Sequence, residues 1–411
     1  MSAAFYYSTP IHSSIPGLTT FTLTKLTAYI YIFASVLYIF FLRYKPANYP
    51  PELFILALFV ITGITVSLFT DNKIENLKSA SNPFLGLIML FLILSHKKVS
   101  PLLFAKLPVL ILISGIISVL GAYLELFSGN AFDNFFGIFR HENLHWDFNG
   151  NLRLSGLFCD TNYLSNFLIF FIPFVFGFYM LNSSGLKYLI FTVIFAASFQ
   201  VLILTYSRSN TTALIGAFIL AALILFLFKN KQQKFKKTIL TALSIIFILY
   251  LINFKSSPVL TSRLSSIQSD YITSERVYLH KTALKMIKLS NYMGIGYAEY
   301  GQKIHNDQEY IFPGINSETS RHITSPHSLY LGITQASGII GLLFFLIFSA
   351  AFAVRNALQI LSANNRAAAV FIWFTAYMAS GFLGKEMYVI EETMYFFLFL
   401  SVGYIFMNQA K

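Results

Sequence analysis

Four stretches of this sequence set ionisable side chains beside long apolar runs: RLSGLFCDTNYLSNFL (153–168), TYSRSN (205–210), SERVYLHKTALKMIKL (274–289) and SPHSLYL (325–331). They supply Arg153, Asp160 and Asn162; Arg208; Arg276 and His280; and His327. An arginine at mid-membrane costs about 2.5–3.5 kcal/mol on insertion scales, and less at the interface. A cluster of arginines therefore calls for an anionic partner. The guanidinium fork suits phosphate because it donates two parallel hydrogen bonds and keeps its charge in a low dielectric. A lipid pyrophosphate would supply that anion. His327, with an ordinary pKa near 6.5, suits a general base acting on a sugar hydroxyl. His280 follows Arg276 by one turn on the same helix face.

Each group taken singly has a plainer reading. An interfacial arginine snorkels or pairs with a nearby acid, and Arg153 with Asp160 fits an i, i+7 pair on one helix face. Asp160 either orients Arg153 or hydrogen-bonds a glycan. His327 reads equally as a helix-capping histidine. The convergence of three arginines on one membrane face favours the chemical reading. His141, His145, His305 and His322 lack the spacing of a zinc site. HENLH (141–145) resembles H-E-x-x-H but lies in an Asn/Gly-rich loop with no third ligand, so no metal is expected.

These groups need a membrane scaffold to position them. The chain of 411 residues is 56% hydrophobic, 17% aromatic and only 11% charged, well below the roughly 25% charge of a soluble globule. It reads as an all-α polytopic membrane protein of about 11–12 transmembrane helices with one large external loop. Candidate spans fall at 21–42, 51–69, 83–95, 102–127, 155–180, 187–206, 209–228, 238–254, 327–353, 367–384 and 392–409. KNKQQKFKK (229–237) carries five lysines and no acid, which places it in the cytoplasm by the positive-inside rule. Alternation then puts the N-terminus outside and the C-terminus inside. Arg43, Lys45, Lys97, Lys98, Lys106, Lys187, Arg355, Arg366 and Lys411 fall inside. Glu52 is the one acid expected there.

The chain divides into helices one to eight (1–254), a large external loop with an amphipathic helix (255–326), and helices nine to eleven (327–411). Within the loop, Ser274 reads as the N-cap of a helix carrying Val277, Leu284 and Ile287 on one face. Tyr278, Lys281, Lys285 and Lys288 share another face, suited to anionic headgroups. The N-terminal segment has no basic n-region or cleavage pattern, so no removable signal peptide is expected. The single cysteine, Cys159, excludes an internal disulfide. No Walker loop, G-x-S-x-G elbow or dinucleotide fingerprint is present, which argues against a cytoplasmic nucleotide donor. The +12 formal charge serves topology rather than nucleic-acid binding.

Together the four stretches resemble the bacterial O-antigen ligase and O-antigen polymerase group of membrane glycosyltransferases. RLSGLFCDTNYLSNFL is similar to that group's Arg-x-x-Gly…Pro-Asn segment, and LTYSRSNTTALIGAFI to its Ser-Arg-Ser/Thr segment. SERVYLHKTALKMIKLSNYMGIGYAEYG is similar to its Arg…Gly-x-Gly segment, and PHSLYLGITQASGIIGLLFFLIF to its His-Asn…Gly segment. Thr161 stands where the group has Pro, and Ser328 where it has Asn. The resemblance covers about 153–353 and implies a C-type glycosyltransferase-like fold in the bacterial inner membrane, with its active site on the periplasmic face. It further implies a metal-independent enzyme without cofactors, whose donor is a polyprenyl-pyrophosphate-linked glycan. The acceptor would be a lipid or another glycan, in a setting of membrane lipids and of chain-length or flippase partners. By position, Arg153, Arg208 and Arg276 would bind the pyrophosphate, and His327 would serve the acceptor hydroxyl or the donor phosphate.

A polymerase must hold two lipid-linked chains, for which Arg263 and Arg321 offer a weak second basic site. The competing reading is a transporter or flippase of lipid-linked sugars or anions. Such folds tend to carry repeats and mid-membrane charge, whereas here the charge gathers at one face beside one loop.

Overall fold

The structure, a computed structural model, describes residues 30, 33, 49–99, 101–128, 153–158, 160–227, 233–256, 275–306, 325–362, 364–382 and 390–407. The expected span at 21–42 falls almost wholly outside them. So do Cys159, the HENLH segment, Arg263, Ser274 and Arg321.

Among the described residues every regular element is helical. The helices are α1 (Glu52–Leu68), α2 (Lys73–Val99), α3 (Pro101–Ser128), α4 (Thr161–Phe174), α5 (Gly185–Leu204), α6 (Arg208–Leu227), α7 (Gln233–Ser256), α8 (Glu275–Leu289), α9 (Glu299–Asn306), α10 (Leu329–Leu361), α11 (Asn365–Ser380) and α12 (Ile390–Met407). Among the described residues seven stretches are long and apolar enough to cross a membrane, one of them running from α4 on to Asn182, and α1 and α12 are shorter apolar helices. Leu186, Leu189, Ile190 and Val193 of α5 lie exposed together, as do Ile339, Ile340, Leu343 and Ile347 of α10. In water such stripes would be a liability; against lipid they need no partner.

The centre of the bundle is α4, most of it buried and wrapped by α5, α6 and α11. Phe170 stacks on Phe399 at 3.8 Å and meets Trp373 edge-on at 6.0 Å. Pro173 has no N–H to give, and just past it α4 widens into a π turn (Val175–Tyr179). There α11 comes so close that a Cβ on Gly177 would lie 2.6 Å from the Ala369 Cβ. A second group of helices pairs α1 with α10 and α2 with α12. At one end of this group Arg355 Nη1 meets Glu52 Oε1 at 2.6 Å, with the Tyr404 hydroxyl donating to the same oxygen at 3.2 Å.

Several boundaries differ from the sequence reading. The third span, expected at 83–95, is part of a 27-residue helix running straight through Pro83. Its first turns are polar and so did not register as a span, and they are held by contacts beyond the helix. The fifth begins at Thr161 rather than 155, because residues 153–158 form a turn. The ninth runs on to Leu361 and is broken at Gly338, whose φ of 71° and ψ of −178° are not helical.

The loop helix α8 forms as expected, but its buried face is turned from the expected one: of Val277, Leu284 and Ile287, only Ile287 is buried. Leu279, Ala283 and Met286 are buried against Tyr300 and Ile304 of α9, with Leu331 of α10 alongside. Leu284 is 47% exposed on the side of Lys281 and Lys288. Apolar residues occur on both sides of α8, and only the packing of α9 and α10 selects which side is covered.

Candidate active site

Two turns and two helix starts carry the candidate residues. The first turn links α5 to α6 through Thr205, Tyr206 and Ser207. Tyr206 N–H donates to Ile203 O at 2.9 Å, and Ser207 N–H to Thr205 Oγ1 at 3.3 Å. Tyr206 adopts φ 53°, a left-handed conformation uncommon for a residue with a Cβ. The turn leaves Arg208 exposed as the first residue of α6.

Arg153 comes to this turn from the other side. Its Nε donates to the Thr205 carbonyl at 3.2 Å, and Leu154 N–H donates to the Leu204 carbonyl at 3.2 Å. The RLSG and TYSRSN segments, separated by about fifty residues in sequence, are thus adjacent strips of main chain.

Asp160 is the N-cap of α4. Its Oδ1 accepts from the Asn162 N–H at 2.5 Å, satisfying one of the orphan amides of the first turn. The expected pairing of Arg153 with Asp160 across two turns of helix does not arise, since 153–158 is not helical. Asn162 sits exposed in the first turn of α4. Below it Asn210 Nδ2 donates to Ser165 Oγ at 2.5 Å and to Asn166 Oδ1 at 2.9 Å, and Asn166 Nδ2 donates to Glu392 Oε1 at 3.0 Å. All four side chains are buried. This chain of bonds puts the starts of α4, α6 and α12 at one end of the bundle.

The start of α10 lies at that end too, tied to the end of α11 by Leu329 N–H donating to Gly381 O at 2.7 Å. His327 stands exposed just before it with φ 48°. The His280 ring, half-buried on α8, lies beside the main chain of His327. Burial holds the His280 pKa below its ordinary value. The neighbouring Arg276 and His327 push the same way, and the contact with the His327 main chain pushes back. Arg276 is exposed one turn earlier. Arg276, His280 and His327 are therefore one cluster, built by docking α8 on the start of α10.

Glycines make that docking possible. Ile295 N–H and Gly296 N–H donate to Gln335 O and Ala336 O at 2.7 and 3.1 Å, and Ile339 N–H donates to Tyr292 O at 2.9 Å. Gly338 breaks α10 to free these groups, and a Cβ on Gly294 would lie 2.6 Å from Gly338 N. Asn76 of α2 fixes the far side: its Nδ2 donates to Glu299 Oε1 at 3.0 Å and its Oδ1 accepts from Ala298 N–H at 2.7 Å.

Residues 191–346 match a family profile described as O-antigen ligase. This stretch is similar to the O-antigen ligase family. No curated protein matches the chain. The matched stretch includes Arg208, Arg276, His280 and His327, while Arg153, Asp160 and Asn162 precede it. Within it, Gly294, Gly296 and Gly338 lie where the segment after α8 meets α10, and the Thr205–Ser207 turn is the one that Arg153 contacts.

The sequence reading passed over Glu125, Asn166, Asn210 and Glu392. Glu125 lies within the apolar helix α3, fully buried. An acid inside an apolar run is itself a signal, because only a partner or a function keeps it there. The asparagines carried no comparable signal: amides near the ends of helices are ordinary, and only the packing of α4 against α6 joins them.

Proposed function

We propose that this protein is a membrane glycosyltransferase of the O-antigen ligase and polymerase type. It would move a glycan from a polyprenyl pyrophosphate to an acceptor hydroxyl during surface polysaccharide assembly. The observation that carries the reading is the gathering of Arg153 with the Arg208 turn, and of Arg276 with His280 and His327, at one end of a membrane-crossing bundle.

In this reading the acceptor oxygen attacks the anomeric carbon and its proton passes to His327. The bond from that carbon to the phosphate oxygen breaks, and the pyrophosphate leaves with the electron pair. Arg153, Arg208 and Arg276 meet the growing negative charge with donors already in place, so little reorganisation is needed at the transition state. Asn162 and the Asp160-capped start of α4 border the same turn and suit contacts to the glycan. His280, whose pKa is lowered by burial, suits a group beside the main chain of His327 that adds little to the positive charge.

The test uses purified full-length protein in lipid nanodiscs with a lipid-linked oligosaccharide, with and without a lipid acceptor. A ladder of lengths without added acceptor identifies a polymerase, and a single capped product identifies a ligase. Movement of the donor across a liposome membrane with no new glycosidic bond would overturn the reading in favour of transport.

A further inference from the structure

We infer that Glu125 is a positioning residue for the Arg153 guanidinium; the inference rests on the proposed role of Arg153 at the donor pyrophosphate. Glu125 Oε2 accepts from the Ser155 and Gly156 amides at 2.9 and 2.6 Å, and its Oε1 accepts from Ser155 Oγ at 3.2 Å. The carboxylate thus grips two successive amides and a hydroxyl of the turn that begins at Arg153.

The turn is shaped to this grip. Gly156 has φ 57°, and a Cβ there would sit 3.1 Å from the main-chain nitrogen of Ala122. A Cβ on Gly121 would lie 2.7 Å from Leu157 Cγ. Residues 153–158 therefore lie directly on the last turns of α3, held there by Glu125. On their other side, the bonds from Leu154 and Arg153 to Leu204 and Thr205 fix them to the turn before Arg208. Burying a carboxylate is costly, and apolar packing would join two helices more cheaply. Charge-assisted bonds to consecutive amides instead fix the direction of the main chain, which apolar packing does not. A guanidinium that must meet a diphosphate needs that fixed direction.

The test is a double-mutant cycle in the full-length protein, with rates measured at varied donor and varied acceptor concentration. Glu125→Ala is expected to lower transfer about tenfold to a hundredfold, by analogy with residues that orient catalytic ligands. The loss should fall on the donor KM or on kcat, with the acceptor KM unchanged. Glu125→Gln keeps the volume and one accepting oxygen; it should retain intermediate activity, and it carries the test if the alanine variant does not insert. In an Arg153→Ala background the Glu125 substitutions should cause no further loss, whereas a purely structural role would add its own.

Wild-type kinetics in Glu125→Gln and Glu125→Ala, or losses that add to those of Arg153→Ala, would overturn the inference while leaving the role of Arg153 intact. Full activity of Arg153→Ala itself would instead remove the proposed role of Arg153.

Discussion

The His280 ring lies beside the main chain of His327, so a loop helix and the residue just before a membrane helix share one histidine pair. The pair gives a pH prediction. The folded-state pKa of His280 lies below its ordinary 6.5, so as pH falls the unfolded or undocked chain takes up the proton first. Docking of α8 is therefore at full strength above about 6.5 and weakens as pH falls through the folded value. Hydrogen exchange of α8 amides should rise over that window in the wild type, and the rise should be absent in His280→Gln.

His327→Ala should lower turnover by about 10²–10⁴-fold, the usual range for general acid–base groups, with less effect on donor binding. Single-turnover rates and donor affinity, measured separately, check this. A loss confined to affinity would assign His327 to the donor phosphate instead.

Replacing Arg153, Arg208 or Arg276 by Ala should each reduce transfer about 10²–10³-fold, taking an oxyanion-hole donor as the guide. Lysine at these positions should restore only part of the rate, because a point charge does not reproduce the two-pronged fork. Product analysis at equal membrane-inserted protein is the measurement.

Gly338→Ala and Gly294→Ala should each undock α8 from α10. Both positions have positive φ, at 71° and 88°, where a Cβ costs about 1–2 kcal/mol before any clash. The clash itself is with main chain, which has no rotamer in which to escape. Increased protease cleavage near 290–298 together with lost activity is the expected result.

At the opposite end of the bundle, Glu52→Gln should lower stability by about 2 kcal/mol, between the values for exposed and for buried pairs, since Arg355 is 30% exposed. It should leave the donor and acceptor KM unchanged. Adding Arg355→Ala should cost less than the sum of the two single changes. Thermal unfolding in detergent and steady-state kinetics check both statements.

Much of the fold was legible in the order of residues. Ten of the eleven expected spans correspond to helices among the described residues, because about twenty apolar residues can cross a bilayer only as a helix. The candidate residues were legible too, since charge beside such a run is costly enough to stand out. The boundaries at 73 and 161 were less so. The polar start of α2 is held by Asn76 and Glu299, and the start of α4 is fixed by the Asp160 cap.

The sequence by itself determined that this is a membrane bundle with its arginines and histidines near helix starts, because hydropathy and charge are properties of each segment alone. Only the tertiary structure decided which of them meet. Arg153 reaches Thr205, His280 reaches His327, and Leu279 rather than Leu284 is covered, because each outcome depends on a second segment tens of residues away. Glu125 shows the same division: its sequence position announces a buried charge, and only the turn folded against it reveals what the charge holds.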